Sequence, residues 1–302
     1  MADGLAEAFK SESKPEEKSL AKRLQDVLDG PYADVRNMAR EFISRPEMAP
    51  VPADMPKAEY RELTLDRIKM LVNEGFTKMP YAVEHGGEGK GSAYINIGEM
   101  IAHADMSLAI KQGVQFGLFG TSIERLGTEK HQHLIKDVIT CDLLGGFGMT
   151  EMACGSDVQG TQTVAVFDPK TREFEITTPH PDARKTYIGN AAKHGRMMVV
   201  FAQLEMAPGE ESRGVHAFLV PVRDKEGHVM PGVTIGDNGH KVGLNGVDNG
   251  TLSFDKVKIP YDSMLDKFGQ IDAKGNYQSD TEKKSARFFK MIGTLVTGRV
   301  FV

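Results

Sequence analysis

Between Gly145 and Gly160 the sequence reads GGFGMTEMACGSDVQG, with five glycines set among the polar pairs Thr150-Glu151 and Ser156-Asp157. Residues of this kind serve two ends. As a connector, glycine supplies backbone freedom and close approach, while Thr, Ser and Asp close local turns. As a binding platform, the same small residues let backbone N–H groups reach the heteroatoms of a flat aromatic ligand. Thr150 and Ser156 then add hydroxyls. Residue types alone leave both readings open, although a junction between two domains is where small-molecule pockets tend to form.

Other chemistry is easier to set aside. The run EHGGEGKGS has Glu84 where a phosphate-binding loop needs its first glycine, and Gly91 where it needs Ser or Thr, so it reads as a turn between helices. His131 and His133 lie two apart on an expected helix and point to different faces, which makes them an exposed pair rather than a metal site. Cys141 and Cys154 match neither a disulfide framework nor a zinc spacing, and a reducing, cytosol-like compartment fits them. No spacing of Ser, His and Asp singles out a hydrolytic triad.

The elements that must position these residues follow from composition and period. The chain has 302 residues, is 40% hydrophobic and 26% charged, and can bury a large core without staples. A net charge of -5 with no basic concentration argues against a nucleic-acid partner. The first residues are too charged for a signal peptide, and no apolar run is long enough to span a membrane. Ser13 and Glu16 read as a capping box before Leu20, Leu24, Val27 and Leu28, which recur at helical spacing up to Gly30-Pro31. Helices are predicted over about 33–44, from Leu63 to Gly75, and over 92–104, 107–126 and 128–139. The proline-rich segment 46–56 is predicted as an extended linker. After Gly145 the texture changes to β-prone runs, TVAVFD, EFEITTP, MMVVFAQLE, GVHAFLVPV and TLSFDKVKI, with no helical period between them. Helical spacing returns from about Asp280. The fold class is therefore α+β: an all-helical N-terminal domain, an antiparallel β-barrel-like middle domain, then the first helix of an incomplete bundle. The boundaries fall at 1–30 for an N-terminal extension, 31–144, 145–275 and 276–302. The apolar last residues carry no cap, and a longer parent chain is expected.

The stretch GGFGMTEMACGSDVQG resembles the flavin-contacting signature of the acyl-CoA dehydrogenase and acyl-CoA oxidase superfamily. The likeness continues through SLAIKQGVQFGLFGTSIERLGTEKH, KTYIGNAAKHGRMMVVFAQL, GVHAFLVPVRD and KVGLNGVDNGTLSFDKVKIP, in family order over about 65–302. The blocks VQFGLFG, GVHAFLVPVRD and GLNGVDNG are more similar to the oxidase branch. The resemblance implies FAD as cofactor, contacted by Phe147, Met149 and Thr150, and by Tyr187 and Gly189 in the second flavin segment. Tyr187 stands where the dehydrogenases often carry Trp, and Gly189 where they carry a hydroxyl residue. Ser156 and Arg299 are the implied acyl-CoA contacts, although Val296 replaces the acidic residue many dehydrogenases place three before that Arg.

The implied reaction is α,β-dehydrogenation of a fatty acyl-CoA to a trans-2-enoyl-CoA, with molecular oxygen as acceptor and hydrogen peroxide as product. The alternatives are a dehydrogenase passing electrons to an electron-transferring flavoprotein, and a non-catalytic acyl-CoA- or protein-binding module on the same fold. The family's base is a Glu of the C-terminal helical domain. No segment here matches it, so no catalytic residue is nominated, and the 302-residue chain alone is expected to turn over acyl-CoA negligibly. No metal is expected. The full-length protein is expected to be a homo-oligomer, cytoplasmic or, in a eukaryote, peroxisomal.

Overall fold

The computed structural model describes residues 19–296, so the Ser13–Glu16 capping box and Arg299 lie outside the described residues. Helix α1 (Leu20–Asp29) starts at Ser19, whose hydroxyl accepts a hydrogen bond from the Lys22 amide. Its spacing is helical as predicted, yet Leu20, Leu24, Val27 and Leu28 are exposed. The face turned inward instead buries Asp29, which is bound by Gln25 and Arg40. Helix α2 (Ala33–Ile43) leads to the proline segment, where Pro46–Met48 forms a 3-10 turn that buries Met48. Helix α3 (Lys57–Asn73) stops at Gly75, which takes a left-handed conformation.

Helices α4 (Gly91–Ala104), α5 (Met106–Gln112), α6 (Thr121–Leu126), α7 (Glu129–Gln132) and α8 (Leu134–Ile139) complete the helical region. Two details depart from the expected uniform helices. Between α5 and α6 the chain widens into a π-helix, Gly113–Gly120, and buried tyrosines hold one carbonyl just before it and one inside it. Tyr94 donates to the Gln112 carbonyl at 3.2 Å and Tyr81 to the Phe116 carbonyl at 2.8 Å. Further on, the 128–139 helix breaks at His133 into α7 and α8, and His131 folds back to cap the start of α7. The His131 Nδ1 accepts from the Thr128 amide at 3.0 Å, and its Nε2 donates to the Asp262 carbonyl at 2.8 Å. His131 is thus buried and structural, not half of an exposed pair.

Strands β1 (Gly145–Gly148), β2 (Val164–Asp168), β3 (Glu173–Thr177), β5 (Met197–Glu205), β6 (Val215–Pro221) and β9 (Val257–Pro260) form one sheet. Strands β4 (Lys185–Ile188), β7 (Val233–Asp237) and β8 (Gly250–Phe254) form a second, and β10 (Gln270–Ile271) and β11 (Tyr277–Gln278) a short ribbon. Helix α9 (Lys284–Gly293) follows. The stretch GGFG is therefore a strand and not a turn. It is buried, so its backbone groups need partners, and it takes them from β5. The large sheet is mixed, because β1 and β2 both run parallel to β5 while the other pairs are antiparallel.

The continuous apolar run in β5 is explained by burial of both faces. Met198, Val200, Ala202 and Leu204 point into a core shared with the smaller sheet. Val199 and Phe201 point into the core of the helical region, together with Phe288 and Met291 of α9. Alternate residues of β6 divide in the same way, as a period of two demands. One strand pair thus carries both domains, and β1 lies along its side at the junction.

Candidate functional site

Beyond β1 the chain turns at Thr150 and Glu151, and a buried ion pair controls that turn. The Lys185 Nζ lies 2.9 Å from Glu151 Oε1, both side chains being fully buried. The same ammonium donates to the carbonyls of Met149 at 3.1 Å and Phe201 at 2.6 Å. Glu151 also accepts from the Gln162 amide and from the amide and hydroxyl of Thr163. Burial pushes Lys185 down to about 8, against the pull of Glu151. Burial also acts to raise Glu151, but the Lys185 charge and the Thr163 and Gln162 hydrogen bonds outweigh it and hold the carboxyl below its usual value.

This arrangement uses the inward-facing groups and leaves others free. The Thr150 carbonyl accepts from the Thr186 amide at 3.0 Å. Thr150 itself is half-buried, and neither its hydroxyl nor its amide has a hydrogen-bond partner among the described residues. Beside Thr186, the strand β4 bulges at Tyr187, which has φ 56° and is 65% exposed. Two asparagines hold this strained residue. Asn238 Oδ1 accepts from the Tyr187 amide at 3.2 Å, and the Asn249 side-chain amide donates to its carbonyl at 3.0 Å. A large aromatic in the left-handed region, clamped and turned to solvent, costs stability that only the surrounding bonds sustain. An unpaired hydroxyl and amide next to an exposed aromatic suit a planar ligand with a hydrogen-bonding edge.

The other expected contacts lie as follows. Phe147 is half-buried and packs on Phe201 at 4.8 Å between ring centroids, and Met149 packs on the same core. Gly189 is buried, and an added Cβ would come within 2.7 Å of Val114 on the π-helix. Gly145 and Gly146 give clearance to protein rather than to a ligand. A Cβ on Gly145 would overlap the Phe119 ring, and one on Gly146 would meet the Gly189 carbonyl and lie 2.7 Å from Met198 Sδ. Gly155 alone in this stretch opens to space, next to the exposed Ser156. Residue types had not singled out Glu151, Lys185, Asn238 or Asn249, because a charge in a strand or an Asn in a loop has no spacing signature of its own.

Residues 32–139 match the family model described as acyl-CoA dehydrogenase, N-terminal domain, and residues 146–257 the one described as acyl-CoA dehydrogenase, middle domain. The chain belongs to the acyl-CoA dehydrogenase and oxidase superfamily. Among curated relatives it is 43% identical over 279 residues to the peroxisomal acyl-coenzyme A oxidase 2 of Arabidopsis thaliana, covering 90% of this chain and 40% of that protein. It is 44% identical over 212 residues to an acyl-coenzyme A oxidase-like protein of Mus musculus, covering 70% of this chain and 33% of that one. The crystal structure of acyl-CoA oxidase1 from Yarrowia lipolytica superposes with a TM-score of 0.79 at 27% identity, over 94% of this chain and 40% of that one. The chain thus spans well under half the length of these relatives.

Proposed function

We propose that this chain forms the flavin-facing and acyl-facing part of an FAD-dependent fatty acyl-CoA oxidase. The observation that carries the proposal is the unpartnered Thr150 hydroxyl and amide beside the clamped, exposed Tyr187. These groups fit FAD: Thr150 offers two polar contacts to the edge of a ring system, and Tyr187 offers an aromatic wall. Related structures titled as acyl-CoA oxidases include one complexed with FAD and ATP. When bound, FAD supplies the acceptor for the hydrogen leaving the substrate's β-carbon, and oxygen then takes the electron pair as hydrogen peroxide.

The chain's own residues bind and orient. Thr150 and Tyr187 would hold the ring, with Gly189 packed against Val114 behind it. One side of Phe147 and Met149 packs on the helical-region core that β5 and β6 share, and each stays partly exposed. Ser156, exposed at the rim, would meet the acyl-CoA thioester arm, and Arg299 is assigned to the CoA portion. Glu151 is the carboxylate next to Thr150 in sequence, but Lys185 and Thr163 hold it, so it is not available to take the α-proton. The base is assigned outside residues 19–296. The product is the trans-2-enoyl-CoA. Several relatives are named as peroxisomal, and that compartment and a homo-oligomeric assembly are proposed for the full-length protein. No helix among the described residues is long and apolar enough to cross a membrane.

The test uses the full-length, FAD-loaded protein. Anaerobic addition of a fatty acyl-CoA should bleach the flavin, and oxygen should restore it rapidly with stoichiometric peroxide. Thr150→Val, which removes the hydroxyl and nearly conserves shape, should fold normally but lose flavin more readily. Absence of bleaching would refute the acyl-CoA assignment. Bleaching followed by sluggish reaction with oxygen would instead mark a dehydrogenase.

A further inference from the structure

The geometry points to Lys111 of α5 as a positioning residue that locks the segment after Tyr187 against β1, an inference that rests on the flavin assignment above. Lys111 is 1% exposed and lies in the helical region, yet all three ammonium protons are spent on the β domain. They go to Asn190 Oδ1 at 2.5 Å, Asp248 Oδ1 at 2.5 Å and His194 Nδ1 at 3.0 Å. Because Lys⁺ only donates, His194 Nδ1 must accept, which places the imidazole proton on Nε2. That Nε2 lies 2.9 Å from Glu62 Oε1 of α3 and donates to it.

Each partner of Lys111 in turn fixes backbone next to the site. Asn190 has φ 64° and donates through Nδ2 to the Gly145 carbonyl at 2.7 Å, tying the residue after Gly189 to the first residue of β1. Asp248 Oδ2 accepts from the amides of Lys193 and His194 at 3.1 and 2.8 Å. Arg223 caps the same loop from the other side through the carbonyls of Ala191, Ala192 and Gly195. Asn249, which clamps the Tyr187 carbonyl, directly follows Asp248. A single buried cation therefore sets the relative placement of three pieces: β1, the Gly189–Arg196 loop, and the Asp248-Asn249 segment behind Tyr187. An interior ammonium with every donor satisfied is rigid, since moving any partner leaves a buried charge unpaired.

The test measures FAD affinity and the absorption and visible circular dichroism of bound flavin in the full-length protein. Lys111→Met removes the cation. Asn190→Gly deletes both Asn side-chain bonds while keeping a residue at ease with positive φ, and it serves if Lys111→Met does not fold. Phe42→Leu, in the helical core on α2, is the control for loss of stability alone. Losing charge-assisted bonds that set the site should weaken FAD binding by about tenfold or more and shift the bound-flavin spectrum. Phe42→Leu should leave both unchanged at a comparable fall in melting temperature. Flavin affinity and spectrum in the Lys111 or Asn190 variant equal to the Phe42→Leu control would overturn the inference alone. A wild-type protein that takes up no FAD would overturn the cofactor assignment, and this inference with it.

Discussion

Replacing Glu151 by Gln tests the ion pair under Thr150 most directly. The substitution conserves shape and one acceptor oxygen but removes the charge facing a fully buried ammonium. Breaking one side of a buried pair costs about 3–5 kcal/mol. Two carbonyls, of Met149 and Phe201, stay on Lys185, so the lower end, about 3 kcal/mol, is expected. The loss should depend on pH. Burial holds folded Lys185 at about 8, below its ordinary 10.5, so the unfolded chain binds more protons between these values and stability rises with pH there. With Glu151 neutral the folded value falls further, and the same rise begins at lower pH in the variant. The deficit should therefore be largest in mild acid, narrow as pH rises toward about 8, and stay constant above it. Urea unfolding of both proteins at about pH 6, 7 and 8, read as midpoint at unchanged slope, measures this. A loss below about 1 kcal/mol, or a deficit that does not narrow with rising pH, would refute the reasoning.

Gly145→Ala should destabilise by about 1–3 kcal/mol, since its Cβ overlaps the Phe119 ring, whereas Gly155→Ala meets nothing and should stay within about 0.5 kcal/mol; equal effects in thermal unfolding would contradict the packing account. His216 is buried, with Nδ1 donating to the Gly214 carbonyl and Nε2 accepting from Tyr277, and burial pushes its pKa down to about 4. Below the ordinary value of 6.5 the unfolded chain takes the proton first, so this group's stability is present above that value and lost on acidification. That amounts to about 2 kcal/mol between about pH 7 and 5. His216→Gln should flatten the acid slope by that amount, and parallel slopes would count against it.

Much of the architecture was legible because periodicity is local. Helical spacing placed α2 and α4 within a residue or two and the end of α3 likewise, although α3 begins six residues before the predicted Leu63, at Lys57; β-prone runs marked β2, β3, β5 and β6. What failed was the assignment of context. The apolar spacing of α1 is real, but Asp29 and Gln25 face inward and the leucines face out. His131 reads as a surface residue until Asp262, far away in sequence, supplies its buried partner. The strand β1 has no β propensity to report, because three of its four residues are glycine. It pairs only because β5 is next to it.

The candidate site divides along the same line. By itself the sequence determined the order of helical and β regions, the block of residues at their junction, and the family resemblance those residues carry. Such properties reside in residue type and spacing along the chain. Only the tertiary structure decided which glycines serve packing, which groups of Thr150 stay free, and why Tyr187 is turned outward. Those outcomes depend on Phe119, Lys185, Asn238 and Asn249 arriving from distant elements. A buried charge must find its partner and a buried amide its acceptor, and that requirement is met in three dimensions rather than along the sequence.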